Sequence, residues 1–436
     1  MCLMDNKSNA FSNIIGFLFT AIGFAVGVGS IWRFPYVLGD NGGALFLIVY
    51  VAIILIIGIP LLTAEVSMGF KSQRTAVLAY KTLAPGKPWY LAGYAHLAAA
   101  ILIISYTMPI YAWILNYFCK TVTGGFVGMD ATEITEYFVS FSGNIKLVAV
   151  FAAVNIAVNA LIISGGVKKG IELVTKILIP MLGVIMVILI VAGLSMPGAA
   201  EGVAFLLKPD PSKFTVNSLS IALGQAFFAV GIGMLASMVF GSYIKSKEEN
   251  IGKCAVIICT ALICAGLLAG FTIFPALFAS GLAPESGVGL TFMVLPNVFN
   301  FMKGGVIFGT LFYLAFYIAA VTSSAGVMEA VVGMFMDQFN MSRRKALLIT
   351  LAFMVVIGGA CLPAGTVFGI LDLIENNYLL TLGALVISIF VGWVWGIDNF
   401  IEASNVKGKF TQGWLKVTVK YISPIIIAII FITGFF

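Results

Sequence analysis

Gly23-Phe24-Ala25-Val26-Gly27-Val28-Gly29, followed at once by Ser30-Ile31-Trp32-Arg33-Phe34-Pro35, lies inside an apolar stretch running from residue 13 to residue 37. A glycine in a helix interior costs about 1 kcal/mol relative to alanine, so three at this spacing favour local unwinding. A membrane tolerates unwound backbone only where protein buries it or a wet cavity meets it, because freed amides and carbonyls need partners. The anomaly recurs in the sixth apolar stretch, where Gly231-Ile232-Gly233 follows Gly224-Gln225-Ala226-Phe227-Phe228. Interrupted helices in corresponding positions of two halves predict a central binding site built from half-helix ends. Close packing through small residues is the plain alternative for either stretch alone. The two together, with charges in neighbouring apolar stretches, favour the site.

Outward from these breaks the whole chain reads as membrane. Hydrophobic residues fill 61% of the 436 positions and charged residues 10%, and the mean hydropathy is +1.09. A hydrocarbon core about 30 Å thick takes roughly 20 apolar residues per helix. The chain offers eleven such spans, at 13–37, 43–70, 89–118, 144–164, 169–194, 216–243, 252–281, 304–336, 343–362, 366–397 and 414–435. The longest connections, near 119–143 and 282–303, leave no room for a soluble domain. The expectation is one transporter domain over 1–436, with a first repeat at about 13–194, a second at about 216–397 and an extra helix at about 414–435. The first span has no small-residue cleavage site at its end and reads as retained rather than as a signal peptide.

Basic residues stay in cytoplasmic loops. With the N-terminus inside, eighteen of the 24 Lys and Arg residues fall on the cytoplasmic side, and eleven spans put the C-terminus outside. The net charge of +6 is then a matter of topology in an inner-membrane protein, and nucleic-acid binding is excluded as its reading. The six cysteines form no CxxC pair and read as small packed hydrophobes. The lone His96 builds no metal site by itself and reads as a packing or interfacial residue.

A charge at bilayer depth is expensive and usually functional. Arg33 follows the first break, Glu65 lies in span two, Glu329 in span eight, and Asp372 and Glu375 in span ten. Structural ion pairing is the competing role for Glu65 and Glu329, whereas Arg33 and Glu375 suit an outer gate.

These residues resemble the neurotransmitter:sodium symporters in their bacterial eleven-helix, leucine-transporter-like form. The resemblance rests on Gly29-Ser30-Ile31-Trp32-Arg33-Phe34-Pro35-Tyr36 with Asp40-Asn41-Gly42-Gly43-Ala44, on Gly58-Ile59-Pro60 with Glu65, on Leu83-Ala84-Pro85-Gly86-Lys87-Pro88-Trp89, on Gly224 to Phe228, and on Val321-Thr322-Ser323-Ser324. It implies an all-α polytopic fold of two inverted five-helix repeats, with helices one and six broken and an eleventh helix added. It also implies alternating access around a midplane site coupled to sodium.

Carried over position by position, the second sodium site of that family takes backbone carbonyls of Gly23, Val26 and Ala319 with the hydroxyls of Thr322 and Ser323. The solute pocket is lined by Phe24, Ala25, Gly27, Gly29, Ile103, Thr107, Phe228, Gly231, Met234, Ile318 and Val327. The outer gate is Arg33 with Glu375 under a Phe228 lid. The inner gate is Asp337 with Tyr243, and the family's N-terminal Arg and Trp become Ser8 and Phe11, with Lys7 as a candidate replacement cation. Gly170 to Pro180 resembles the family's span-five unwinding motif.

The first sodium site departs from the family. Its side-chain ligands become Ser30, Ala229 and Leu262, leaving the Ala25 carbonyl and Ser30. The expectation is therefore one Na+ per cycle, held in the second site. Chloride is not expected as a requirement, because Tyr50 and Gln225 persist while their partners become Ala229, Leu262 and Gly266. The tyrosine that takes a carboxylate in the family is matched by Thr107 here, which weakens the amino-acid reading, or by Tyr106 next door if the alignment slips by one residue. The leading reading is a sodium-coupled symporter of a small organic solute, an amino acid or derivative. A sodium-independent facilitator or exchanger is the near alternative, and a non-transporting solute sensor the further one. No HExxH and no GxSxG with a plausible base supports an enzyme. The sequence sets no oligomeric state.

Overall fold

The computed structural model describes residues 10–282, 289–362 and 365–433. Helices dominate because a helix satisfies its own backbone groups where no water can. Among the described residues nine are long and apolar enough to cross a membrane: Ala44–Ser72, Tyr90–Val122, Ile145–Ser164, Val167–Leu194, Ile251–Ala279, Gly305–Phe339, Arg343–Cys361, Leu380–Ser404 and Lys409–Ile432. The bent pair Ile14–Ala25 and Gly29–Asp40 makes a tenth, and the shorter helices Val216–Val230 and Ala236–Ser242 stand where hydropathy expects the sixth span, so the chain is a multi-pass membrane protein.

Both breaks fall where the glycines are. The first span begins at Ile14, where the Asn13 side chain accepts the Gly16 N–H, and its first half ends at Ala25 with Val26 as cap. Helix resumes at Gly29 and runs to Asp40, bent by 46° from the first half. The sixth span starts in a capping box of Thr215 and Ser218 and stops at Val230, where Gly231 takes φ +76°. It resumes as Ala236–Ser242. Between the halves Gly233 and Leu235 also hold positive φ, +80° and +71°. A leucine in that region is strained and persists only where its surroundings fix it.

The connections carry more structure than hydropathy predicts. Ala131–Gly143 is a helix opened by a capping box of Asp130 and Glu133, and Leu290–Phe301 is a second short apolar helix. A third, Ala76–Leu83, follows span two.

Span three is the central post: 89% of its apolar window is buried inside the molecule, against 28% for spans four, five and eleven. Those outer spans turn residues such as Leu161 and Val191 outward, as hydrocarbon-facing helices do. Span one packs against spans five, seven and eight, which brings its break to the middle of the bundle.

Candidate solute and cation site

The two breaks meet at one small cavity. Phe24, Ala25, Gly27, Val28 and Gly29 from span one line it with Ile103, Ile104, Thr107 and Tyr111 from span three, Phe228, Ala229 and Met234 from span six, and Ser323 and Val327 from span eight. Nine of the eleven sequence-expected solute residues are thus brought together. Gly231 stands behind this wall: a Cβ there would collide with the Phe24 ring, so glycine is what lets that ring seat edge-on to Phe240, 5.9 Å between centroids. Ile318 is buried one turn before Thr322 and contributes its carbonyl to the Thr322 hydroxyl rather than a face to the cavity.

Sequence reading missed Tyr111, whose signal is its place one turn after Thr107 on the same helical face. Its hydroxyl meets the Thr107 side chain, and the Thr107 hydroxyl donates to the Ile103 carbonyl at 2.5 Å. Apart from Thr107, Tyr111 and Ser323 the wall's side chains are apolar, with no charged side chain among them.

Of the expected sodium donors, Gly23 and Val26 stand at the first-span break and Ala319, Thr322 and Ser323 on span eight, the two groups meeting where Gly27 lies against Ser323. The first half of span one ends at Ala25, so the Gly23 and Ala25 carbonyls belong to the last turn, which lacks onward helical donors. The Val26 N–H is satisfied by Ile22. Gly27 lies directly against Ser323, since a Cβ there would overlap the serine Cβ and Oγ. The buried Thr322 hydroxyl donates to the carbonyls of Ile318 at 3.0 Å and Ala319 at 3.2 Å. Donating its proton leaves the oxygen lone pairs free. Three carbonyls and two hydroxyls, all neutral oxygens, suit a hard monovalent cation, so the residues present fit Na+ here.

The neighbouring face of the break does not fit an ion. The Ser30 hydroxyl donates to the Ala25 carbonyl at 3.3 Å, and Ala229 and Leu262 are buried apolar groups. Gln225 bridges the two broken spans: its amide donates to the Gly29 carbonyl at 2.8 Å and accepts from Arg33 at 2.8 Å. Tyr50 packs on Phe34 at 4.8 Å, and Phe34 in turn lies against Gly266, so an aromatic ring stands where chloride partners would be needed.

The gates depart from the expected pairs. Arg33 does not meet Glu375. Its guanidinium is held by Gln225, one turn before Phe228 and therefore nearer, and stands 5.5 Å over the Phe228 ring. The Glu375 carboxylate is buried, with neither oxygen hydrogen-bonded. Beside Arg33 a cavity of about 220 Å³ is lined by Asn217, Ser220, Tyr378, Thr381 and Phe431 among others.

At the opposite, basic end, Asp337 and Tyr243 take separate partners. Asp337 accepts from the Thr75 amide and hydroxyl at 2.8 and 3.0 Å and faces Arg74 at 3.4 Å. Tyr243 donates to Glu329 at 3.1 Å, and Glu329 is clamped by both terminal nitrogens of Arg343 at 2.7 and 2.8 Å. Phe11 packs on Tyr243 and Phe240, whereas Lys7 and Ser8 lie outside the described residues. In span five the stretch from Gly170 to Pro180 is helical, and Glu172 accepts from the Ser12 amide and pairs with Lys176.

Comparison with known proteins agrees with this arrangement. The profile of the sodium:neurotransmitter symporter family matches residues 8–130 and 130–436. The chain is 34% identical to an uncharacterized sodium-dependent transporter, YhdH, of Bacillus subtilis, over 99% of this chain and 98% of the relative. It is 32% identical to an uncharacterized sodium-dependent transporter of Haemophilus influenzae over the full length of both. Among solved structures, MhsT in complex with L-phenylalanine superposes with a TM-score of 0.91 at 36% identity, covering 98% of this chain and 99% of that one. Coverage on this scale includes both broken spans, so the chain belongs to the sodium:neurotransmitter symporter family, whose members are sodium-coupled transporters and not enzymes.

Proposed function

We propose that this protein is a sodium-coupled symporter of an amino acid or amino-acid derivative, working by alternating access with one Na+ per cycle. The observation that carries the reading is the shared wall: Ser323 lies against Gly27 in the cation cradle and also lines the solute cavity. An ion that orders Gly23, Val26, Ala319, Thr322 and Ser323 therefore orders part of the solute pocket, and a ligand that favours one state shifts the equilibrium by its differential affinity. The structure of MhsT with L-phenylalanine supports an amino acid as the solute class.

The free space in the cavity is about 30 Å³. A solute enters when Phe228 and the flexible Met234 turn aside, and Phe228 then closes over it beneath Arg33. Glu375 approaches Arg33 only when Gln225 releases it, which makes the outer gate a closure step. Asp337 with Arg74, and Tyr243 with Glu329 and Arg343, hold the basic end shut. That end is cytoplasmic in the orientation with the N-terminus inside and the C-terminus outside, and the membrane is the inner membrane. The two repeats are taken as 13–194 and 216–397, with 414–435 as the added helix.

The test is uptake of radiolabelled amino acids and amines into proteoliposomes with and without an inward sodium gradient, with ²²Na+ counted in parallel. Accumulation that requires the gradient, with one sodium entering per solute, is the expected result. Equal uptake without sodium would replace the symporter by a facilitator or exchanger, the reading favoured by the apolar first site.

A further inference from the structure

We infer that His96 is a positioning residue for transport, which ties the break in span six to the helix that holds the basic-end gate. The inference rests on the sodium-coupled reading above.

Gly233 sits in the break between Val230 and Ala236. Its carbonyl is met by His96 Nδ1 at 2.9 Å and its amide by Glu65 at 3.3 Å. A carbonyl only accepts, so Nδ1 carries the proton, and in the neutral ring Nε2 accepts from the Tyr80 hydroxyl at 3.0 Å. One neutral imidazole thereby satisfies both buried groups. The ring is 2% exposed and stacks on Tyr80, which also meets Phe390 edge to face at 4.5 Å.

Tyr80 belongs to the helix Ala76–Leu83. The cap of that helix is Thr75, which gives Asp337 both its amide and its hydroxyl. A continuous hydrogen-bonded path therefore runs from Gly233, through His96 and Tyr80, along one short helix, to Asp337 near the end of span eight. Span eight also carries Thr322 and Ser323. Any histidine buried this deeply needs a partner on each nitrogen; what marks this one is that its partners belong to two separate elements, the break of span six and the helix Ala76–Leu83. When the basic end opens, the helix Ala76–Leu83 moves with its hold on Asp337, and His96 transmits that motion to the break beneath the solute.

The experiment compares wild type with H96A, H96Q and Y80F in two readouts: sodium-driven uptake as a function of solute, and hydrogen exchange of the helix Ala76–Leu83 with and without sodium. H96A removes two buried hydrogen bonds, so its maximal rate is expected to fall about tenfold while half-saturation by solute stays within about twofold. Y80F removes one and falls by about threefold. H96Q, whose amide still donates to the Gly233 carbonyl, recovers most of the rate. Sodium protects Ala76–Leu83 from exchange in wild type, and this protection disappears in H96A. Wild-type rates in both H96A and Y80F, or a sodium response of the helix that survives H96A, would overturn the inference. Should H96A not fold, Y80F decides alone, since it loses a single oxygen. Absence of sodium-driven uptake in wild type would sink the symporter reading instead, while the exchange readout still reports the link.

Discussion

The two faces of the first-span break are built from neighbouring residues and end up in opposite chemical states. On one face Gly27 lies against Ser323, next to Thr322, whose hydroxyl gives its proton to the Ile318 and Ala319 carbonyls and keeps its lone pairs. On the other, Ala25, Gly29 and Ser30 turn to span six and are already satisfied: Ser30 bonds Ala25, and Gln225 bonds both Gly29 and Arg33. Under the proposed reading of one Na+ per cycle the second face offers the ion nothing, because Ala229 and Leu262 bring no side-chain oxygen and the remaining oxygens are bonded to one another. Gln225 makes that face a cross-brace between the broken spans.

The largest effect should come from breaking the open face. T322A with S323A removes two of five oxygens, each worth about 1 kcal/mol or more, and sodium-driven uptake should fall by more than about tenfold, with sodium half-saturation moving beyond the accessible range. Uptake that keeps its sodium dependence in this double variant would mean that the ion sits elsewhere, and the contrast between the faces would collapse.

Next comes the brace. Q225L leaves the Arg33 guanidinium and the Gly29 carbonyl without their partner, and a hydrogen bond to a charged group is worth about 1.5–3 kcal/mol. Solute affinity should weaken about tenfold, with the sodium response little changed. Sodium half-saturation that shifts as far as solute affinity would show that the second face still handles an ion.

The two breaks were legible in the sequence because they depend on a local fact, glycine spacing, and the proposed second site rests on another, two adjacent hydroxyls on one helix. What the sequence did not reveal depends on rotamers and distant partners. Arg33 reads as a partner for Glu375 by charge, yet a neutral amide three residues before Phe228 is closer and takes it. Glu329 reads as an intramembrane charge with ion pairing as one of its two roles, but its partner is set by the turn after span eight, which brings Arg343 back to clamp it. His96 reads as filler because its two partners, Gly233 and Tyr80, lie 137 positions ahead and 16 behind. Tyr111 was recoverable, since helical periodicity alone places it above Thr107.

A smaller effect is expected from partial repair. A229T alone returns one hydroxyl to the closed face but leaves Leu262 apolar and Ser30 engaged, so sodium half-saturation should stay within about twofold of wild type, a difference under 0.5 kcal/mol. The triple variant S30N, A229T and L262N restores three side-chain oxygens, and its sodium dependence should become steeper, with a Hill coefficient rising from about 1 towards 2. A triple variant that folds, transports and keeps the shallow response would show that the geometry of the face, and not its composition, forbids the ion.

The smallest effect concerns chloride, and it sharpens the comparison because an anion would have to enter on the closed face. Gln225 has both ends of its amide engaged, Ala229 and Leu262 offer no donor, and Phe34 fills the space between Tyr50 and Gly266. A bare anion there would be a buried charge without a partner, which costs several kcal/mol. Replacing chloride by gluconate at constant sodium should therefore leave the uptake rate unchanged. A fall in rate would require donors that this face does not present, and would mean that Gln225 gives up Arg33 during the cycle to hold the anion, turning the brace into a transient site.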